Sequence, residues 1–95
     1  MYIITSLNAV KRDIKGLDKK LIEEIKTEEF PKIEKEPYKG EPLLCEFKGL
    51  WSHHFSCQGT EYRIVYEIYP GKKIVLVIMI GKRQRFYEAL KRRVG

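Results

Sequence analysis

The chain has 95 residues, of which 43% are apolar and 34% are charged, and its net charge is +6. This length predicts one domain, residues 1–95, and this composition excludes a disordered tail. No apolar run approaches the roughly 18–20 residues of a membrane span, and the N-terminus lacks the pattern of a signal peptide, so we expect a cytoplasmic protein without a membrane partner.

The positive charge lies in the C-terminal half of the chain. Residues 1–47 carry nine Lys or Arg against ten Asp or Glu, whereas residues 48–95 carry ten against three. A basic field on one side of a small protein indicates a polyanionic partner, with nucleic acid as the first candidate and an anionic membrane as the second. A solvated basic surface without a partner is the simpler alternative.

The N-terminal part of the chain predicts one strand and two helices. Tyr2–Thr5 is a short strand candidate. Ser6 then offers an N-cap for a helix of about ten residues that ends at Gly16, and Asp18 offers one for a second helix that Pro31 should kink or end. The buried faces have apolar residues mainly at spacings of three and four, namely Leu7, Val10, Ile14, Leu17, Leu21, Ile22, Ile25 and Ile33.

From Leu43 onward the pattern changes to strands joined by short turns, which makes neighbouring strands antiparallel. The predicted strands are Leu43–Lys48, Trp51–Cys57, Tyr62–Tyr69 and Ile74–Ile80, and a short helix spans Arg85–Val94. The seven apolar residues of Ile74–Ile80 predict a strand buried on both faces. The fold class is therefore α+β: two N-terminal helices packed on one face of a small, mostly antiparallel sheet of four to five strands, with a short C-terminal helix.

Several kinds of site have no motif here. The chain lacks a glycine-rich phosphate loop, a CxxC pair, HExxH and GxSxG. His53 and His54 are consecutive on a strand and point to opposite faces, so they cannot chelate one metal together, and we expect no metal and no cofactor.

Arginine, histidine, lysine and tyrosine remain, and they are suited to a phosphodiester. An arginine binds two phosphate oxygens and stabilises the charge of a phosphorane, while tyrosine or histidine moves the protons of 2′-hydroxyl attack. Arg83 and Tyr87 are four residues apart, which puts them on one face if this segment is helical. The alternatives are a strand-surface cation for Arg63, a solvated arginine for Arg83 and a core-edge aromatic for Tyr87.

Five segments together resemble the RelE/ParE toxin superfamily: LDKKLIEEI, EPYKGEPL, KGLWSHHF, EYRIVYEI and VLVIMIGKRQRFY. Similar proteins carry a strand reading YRxxYxI, then a hydrophobic strand that ends in GHR or GKR with a tyrosine shortly after. WSHH resembles the WSRR of the YoeB branch. The resemblance implies the toxin of a type II toxin–antitoxin system, with a RelE-like fold and a cognate antitoxin as partner. RelE-like and YoeB-like members are metal-independent endoribonucleases that cut mRNA on the ribosome, whereas ParE-like members poison DNA gyrase.

The resemblance also implies site residues. Arg63, Arg83 and Tyr87 match the positions with which the ribonucleases hold the phosphate and move protons. RelE-like proteins place lysines where this chain has Ser52 and His54, so that role would pass to a histidine, and Glu41 matches a glutamate of YoeB-like proteins, whose C-terminal histidine is absent here. The expected catalytic set is Arg63, Arg83, Tyr87, His54 and Glu41, and the expected RNA-binding set is Lys48, His53, Lys82, Arg85, Lys91 and Arg92.

This set favours an endoribonuclease that cleaves mRNA by 2′-hydroxyl attack, and the resemblance implies that the mRNA is bound to the ribosome. Two alternatives remain open at this point: a non-catalytic gyrase inhibitor of the ParE type, and a non-toxic basic domain that only binds nucleic acid.

Overall fold

The computed structural model describes all 95 residues, Met1–Gly95, and contains one five-stranded sheet. The strands are β1 (Ile3–Ser6), β2 (Glu41–Pro42), β3 (Leu50–Cys57), β4 (Thr60–Tyr69) and β5 (Ile74–Lys82). The helices are α1 (Ala9–Lys15), α2 (Lys19–Glu24), α3 (Phe30–Lys35) and α4 (Phe86–Val94). The strand order is β1-β5-β4-β3-β2, with β1 parallel to β5 and all other neighbours antiparallel. The predicted α+β class is confirmed. None of the helices combines the length and the hydrophobicity needed to span a bilayer.

The first helix starts later than predicted. Ser6 is not its N-cap, because the Ser6 backbone is extended and pairs with Val77 at the end of β1, and Asn8 precedes the first helical residue instead. The predicted end at Gly16 is confirmed. Asp18 caps α2 as predicted, since its carboxylate accepts a hydrogen bond of 2.8 Å from the Leu21 N–H.

The second helical segment continues beyond Pro31. A π-helical turn, Ile25–Glu29, joins α2 directly to α3, and Pro31 lies in the first turn of α3. A π turn widens the helix and shifts its hydrogen-bond register, so a residue without an N–H is accommodated there. Pro31 therefore does not end the segment, which runs to Lys35.

Four of the five predicted strands are confirmed with small changes at their ends: Tyr2–Thr5 corresponds to β1, and the last three correspond to β3, β4 and β5. The prediction of a strand at Leu43–Lys48 is wrong. Leu43 turns into the core, its N–H donates to the Leu50 carbonyl, and Cys45 has a left-handed backbone with φ of 56° that starts a 3₁₀ turn, Cys45–Phe47. The short strand that pairs with β3 lies just before it, at β2.

The sheet has a hydrophobic core on each face. The core under α1–α3 contains Val10, Leu21, Ile25, Ile33, Ile64, Tyr66, Val75, Val77 and Ile80. The core under α4 contains Leu43, Val65, Ile78, Met79, Phe86 and Leu90. A β-bulge decides this division in β5, because Ile78 has no partner in β4 and the strand changes face after it. Val77 and Ile80 consequently face α1–α3, whereas Ile78 and Met79 face α4.

Candidate active site

Arg63 and Tyr87 meet on the α4 face of the sheet. The Arg63 guanidinium donates a hydrogen bond of 2.5 Å from Nη1 to the Tyr87 hydroxyl, and its Cζ lies 5.0 Å from the centre of the Tyr87 ring. The Tyr87 ring also packs against Phe47 and Phe86, whose ring centres both lie 5.9 Å from its own. The buried Phe86 and Leu90 fasten α4 to the sheet, so Tyr87 reaches β4 from a fixed helix. A cation and a phenol are thereby fixed together at an accessible surface.

His54 lies beside Arg63 because the two residues are direct partners in the β3–β4 ladder. Its Nε2 is 3.3 Å from Glu41 Oε1, so Glu41 on β2 extends the row to the next strand. Burial, followed by the positive charge of Arg63, lowers the pKa of His54 below its ordinary value, and the nearby Glu41 only partly opposes this. The imidazole is therefore neutral at physiological pH and can accept a proton.

The position of Glu41 is set by the preceding turn, which packs closely against Tyr66. The hydroxyl of Tyr66 donates a hydrogen bond of 2.5 Å to the Pro37 carbonyl, which ties the turn to the sheet. A Cβ on Gly40 would collide with that hydroxyl, so only glycine fits directly before Glu41. Burial raises the pKa of Tyr66 to about 12, and this phenol stays a hydrogen-bond donor at any physiological pH.

His53 lies on the opposite face from His54, as the period of a strand predicts. Its Nε2 is 2.8 Å from the Glu29 carboxylate, and Glu29 is a buried residue at the end of the π turn. His53 therefore joins β3 to the helical layer and is separated from the Arg63–Tyr87 pair by the sheet.

Glu29 is assigned no role in the sequence analysis, although the spacing of the apolar residues around it indicates that it is buried. It continues the spacing of four that runs through Leu21, Ile25 and Ile33, so the pattern already places it on the buried stripe of its helix. A carboxylate on such a stripe requires a buried partner, and His53 is the partner here.

The Glu29–His53 contact predicts a pH-dependent contribution to stability. Burial raises the pKa of Glu29, but hydrogen bonds with Glu24 and His53 and the charge of Lys32 outweigh it, so the pKa falls below its ordinary 4.5. A lowered folded-state pKa gives stability that is complete above pH 4.5 and is lost as the pH falls through the folded value. We expect Glu29→Gln to reduce the free energy of unfolding by roughly 1–3 kcal/mol at pH 7 and by less at pH 3. Urea unfolding at both pH values measures this, and an equal loss at both would contradict it.

Arg83 lies next to the pair but binds elsewhere. Its guanidinium is 3.2 Å from the Glu61 carboxylate, and its N–H donates to the Glu61 carbonyl. Glu61 is two residues before Arg63 on β4 and shares its face. The condition for a shared helical face of Arg83 and Tyr87 is not met, because Arg85 has a left-handed backbone and α4 begins only at Phe86.

The other predicted RNA-binding cations are spread over the surface. Lys82 lines a cavity with Arg83 beside the β3–β4 turn, and Lys48 is exposed after the 3₁₀ turn. Arg85 is exposed at the start of α4, whereas Lys91 lies 3.6 Å from Glu46. Arg92 lies near the other end of α4, facing α1.

Another cleft lies along the edge of β3, next to the residues that pair with β2 and beyond them. It has a volume of about 690 Å³ and is lined by nine residues without an apolar one among them: Lys32, Lys35, Glu36, Lys39, Gly40, Glu41, Ser52, His53 and His54. No three His, Cys, Asp or Glu side chains come together in an arrangement that could hold a metal ion. The lining of this cleft offers charged side chains, hydrogen-bond donors and acceptors, and two imidazoles.

Comparison with known proteins identifies the family. Residues 4–91 match the family model described as the ParE-like toxin of type II bacterial toxin–antitoxin systems. This chain belongs to that family.

Relatives of this ParE-like toxin agree with its fold. The mRNA interferase toxin RelE of Escherichia coli K12 is 35% identical over 79 residues, which cover 80% of this chain and 72% of that protein. The toxin–antitoxin complex RelBE2 of Mycobacterium tuberculosis contains a chain with a TM-score of 0.73 at 25% identity, over 86% of this chain and 98% of that one. A variant of E. coli RelE in the free state gives a TM-score of 0.75 at 19% identity, over 99% and 98%. The predicted membership of the RelE/ParE group is confirmed.

Proposed function

We propose that this toxin is an endoribonuclease that cleaves mRNA by attack of a 2′-hydroxyl group. The observation that carries the proposal is the Arg63–Tyr87 contact with the neutral His54 as the cross-strand partner of Arg63. A phosphate clamp, a phenol and a proton acceptor on one surface are what cleavage without a metal requires. The name of the 35% identical relative, an mRNA interferase, supports the same reaction.

In this mechanism the Arg63 guanidinium binds the non-bridging oxygens of the scissile phosphate and stabilises the charge that builds on phosphorus. The Nε2 of His54 faces Glu41, which leaves Nδ1 to take the proton of the 2′-hydroxyl. The 2′-oxygen bonds to phosphorus, the bond from phosphorus to the 5′-oxygen breaks, and the Tyr87 hydroxyl protonates that leaving oxygen. The products are a 2′,3′-cyclic phosphate and a 5′-hydroxyl end.

Arg83 contributes a second cation in this proposal. Its ion pair with Glu61 is exposed, with 65% and 60% of the two side chains accessible, and such pairs contribute little stability. A substrate phosphate can therefore displace Glu61 and bind Arg83 beside Arg63.

The proposed partners are a cognate antitoxin and mRNA held on the ribosome. Solved relatives occur in toxin–antitoxin complexes, including RelBE2 of M. tuberculosis and RelBE of E. coli. An antitoxin that covers the basic α4 face would block Arg63 and Tyr87, which explains how a cell could store the toxin without damage.

Primer extension on a reporter mRNA tests the reaction during a brief induction of the toxin. Discrete new 5′ ends within the coding region are the expected result. Inhibition of DNA gyrase is the second candidate function, favoured by the ParE-like description of the family model. Intact mRNA with induced DNA-damage signalling would select gyrase inhibition and reject the ribonuclease.

The role of His54 predicts a specific pH profile. The base must be neutral, so the cleavage rate should be highest at pH 7–8. The rate should fall as the pH drops below 6.5 and passes through the lowered pKa of His54. We expect His54→Gln to cut the rate at pH 7.5 by about 100-fold or more and to remove this acidic limb. Single-turnover rates between pH 5 and 8 measure both effects, and a variant that keeps the parent's acidic limb would exclude His54 as the base.

A further inference from the structure

We propose that the groove between α1 and α4, lined by Arg12, Arg92 and Arg93, is a second RNA-binding site that holds phosphodiester groups away from the cleaved bond. We call it the arginine groove. Its ligand class, RNA, rests on the proposed function, but the groove does not take part in cleavage.

The arginine groove is an open cavity built from two helices. It has a volume of about 660 Å³, within the range of roughly 300–1,000 Å³ that ligand sites occupy. Arg12 comes from α1, and Arg92 and Arg93 come from α4. The other lining residues are Ala9 and Ala89, whose short side chains leave the space between the helices free for a ligand.

The charge in the groove is not balanced by the protein. Both carboxylate oxygens of Asp13 are bound to Arg93, at 2.8 and 2.9 Å, and one of them also accepts the Ile80 N–H. Arg12 and Arg92 are exposed and form no ion pair. Like charges around one cavity repel each other, and an anionic ligand relieves that repulsion.

The lining of the arginine groove favours a phosphate backbone over the carboxylates of an acidic peptide. The planar fork of arginine matches two phosphate oxygens at once. An acidic peptide would also meet the charge, but protein partners anchor on apolar or aromatic surface, and two alanines provide little of it. The lining therefore favours a nucleic-acid backbone.

The groove lies close enough to the active site to bind the same RNA chain. Tyr87 lies in the first turn of α4 and Arg92 follows five residues later, which is roughly 7–8 Å along the helix axis and about 140° around it. An RNA chain that contacts both Tyr87 and Arg92 therefore passes over α4. The arginine groove can thus bind RNA that flanks the nucleotide at Arg63 and Tyr87.

The test measures the salt dependence of RNA binding. A labelled 20-nucleotide RNA with 2′-O-methyl groups cannot undergo 2′-hydroxyl attack, and its anisotropy with the parent protein reports affinity between 50 and 300 mM NaCl. Each lost phosphate contact reduces the slope of log K against log salt by about 0.7 for a single strand. We expect Arg12→Gln/Arg92→Gln to reduce the slope by roughly 1.4.

The matched control is Lys20→Gln/Lys26→Gln, which removes the same charge from exposed positions on the other helical segment. Its slope should stay within about 0.3 of the parent's. Arg12→Lys/Arg92→Lys should keep the parent slope but bind more weakly, because lysine cannot hold phosphate bidentately. Thermal unfolding of each variant shows that it is folded.

Equal slopes for the two glutamine double variants would overturn the proposal. The proposal would also be wrong if Arg12→Gln/Arg92→Gln kept the salt dependence of the parent but bound an acidic antitoxin peptide more weakly. In that case the groove would be a protein-binding surface. The uncleavable probe separates this result from the proposed function: mRNA that stays intact with the parent rejects the ribonuclease, whereas unchanged RNA affinity rejects the groove.

Discussion

Replacing Arg63 with alanine is expected to reduce mRNA cleavage by about 100- to 1,000-fold while the protein stays folded. Arg63 is the group that stabilises charge on the phosphorus, and it also holds the Tyr87 hydroxyl in position. Its side chain is only partly buried, so its removal should change the free energy of unfolding by about 1 kcal/mol or less. Single-turnover cleavage of ribosome-bound reporter mRNA, with urea unfolding of the same samples, measures both quantities.

Two further variants make this prediction specific. Tyr87→Phe keeps the ring contacts with Phe47 and Phe86 but removes the hydroxyl, so it should also lose about 100-fold or more in rate. Lys72→Ala removes one positive charge in the turn at the opposite end of β4 and should leave cleavage within about twofold of the parent. If Arg63→Ala cleaved mRNA as fast as Lys72→Ala, the proposed mechanism would be wrong.

Replacing Asp13 with alanine is expected to lower the free energy of unfolding by about 3–5 kcal/mol. Asp13 and Arg93 form a bidentate ion pair whose side chains are only 11% and 20% exposed. The same pair satisfies the backbone of β5, since Asp13 accepts the Ile80 N–H and Arg93 donates to the Ile78 carbonyl. Hydrogen bonding with Asp13 raises the pKa of Arg93. Without Asp13 the guanidinium still stays charged, because arginine does not lose its proton in proteins, and its charge is left without a partner.

The loss should be visible by thermal unfolding, because 1 kcal/mol corresponds to a shift of roughly 4–8 °C in a domain of this size. Arg12→Ala is the control, since Arg12 neighbours Asp13 but is exposed and unpaired, and its effect should stay within about 0.5 kcal/mol. Asp13→Ala/Arg93→Ala should cost clearly less than the two single changes added together. Additive losses would show that the two residues act independently, contrary to this structure.

Local patterns were sufficient to predict most of the secondary structure. Alternation in β3 and β4 and the apolar run of β5 placed three strands correctly, because the period of the side chains follows directly from backbone geometry. The failures occurred where tertiary contacts compete with local preference. Ser6 pairs with β5 instead of capping a helix, and Leu43 turns into the core instead of continuing a strand.

The candidate site was predicted in part. The resemblance implies Arg63, Tyr87, His54 and Glu41, and the structure places these residues next to one another across β2, β3, β4 and α4. The spacing argument for Arg83 applied only if the helix included this residue, and α4 begins three residues after it. Such a start depends on the backbone of one residue, Arg85, which no periodicity specifies.

The sequence by itself determined the α+β class, the order of the elements and which half of the chain carries the positive charge. These properties depend on composition and on periodicities of a few residues. Only the tertiary structure decided which charges are free to act: Asp13 neutralises Arg93 from 80 residues away, Glu29 holds His53 on the far face, and Arg12 and Arg92 remain unpaired. Pairings over such distances follow from the sheet register and the bulge at Ile78, which are set by the packing of the whole chain and not by any short segment.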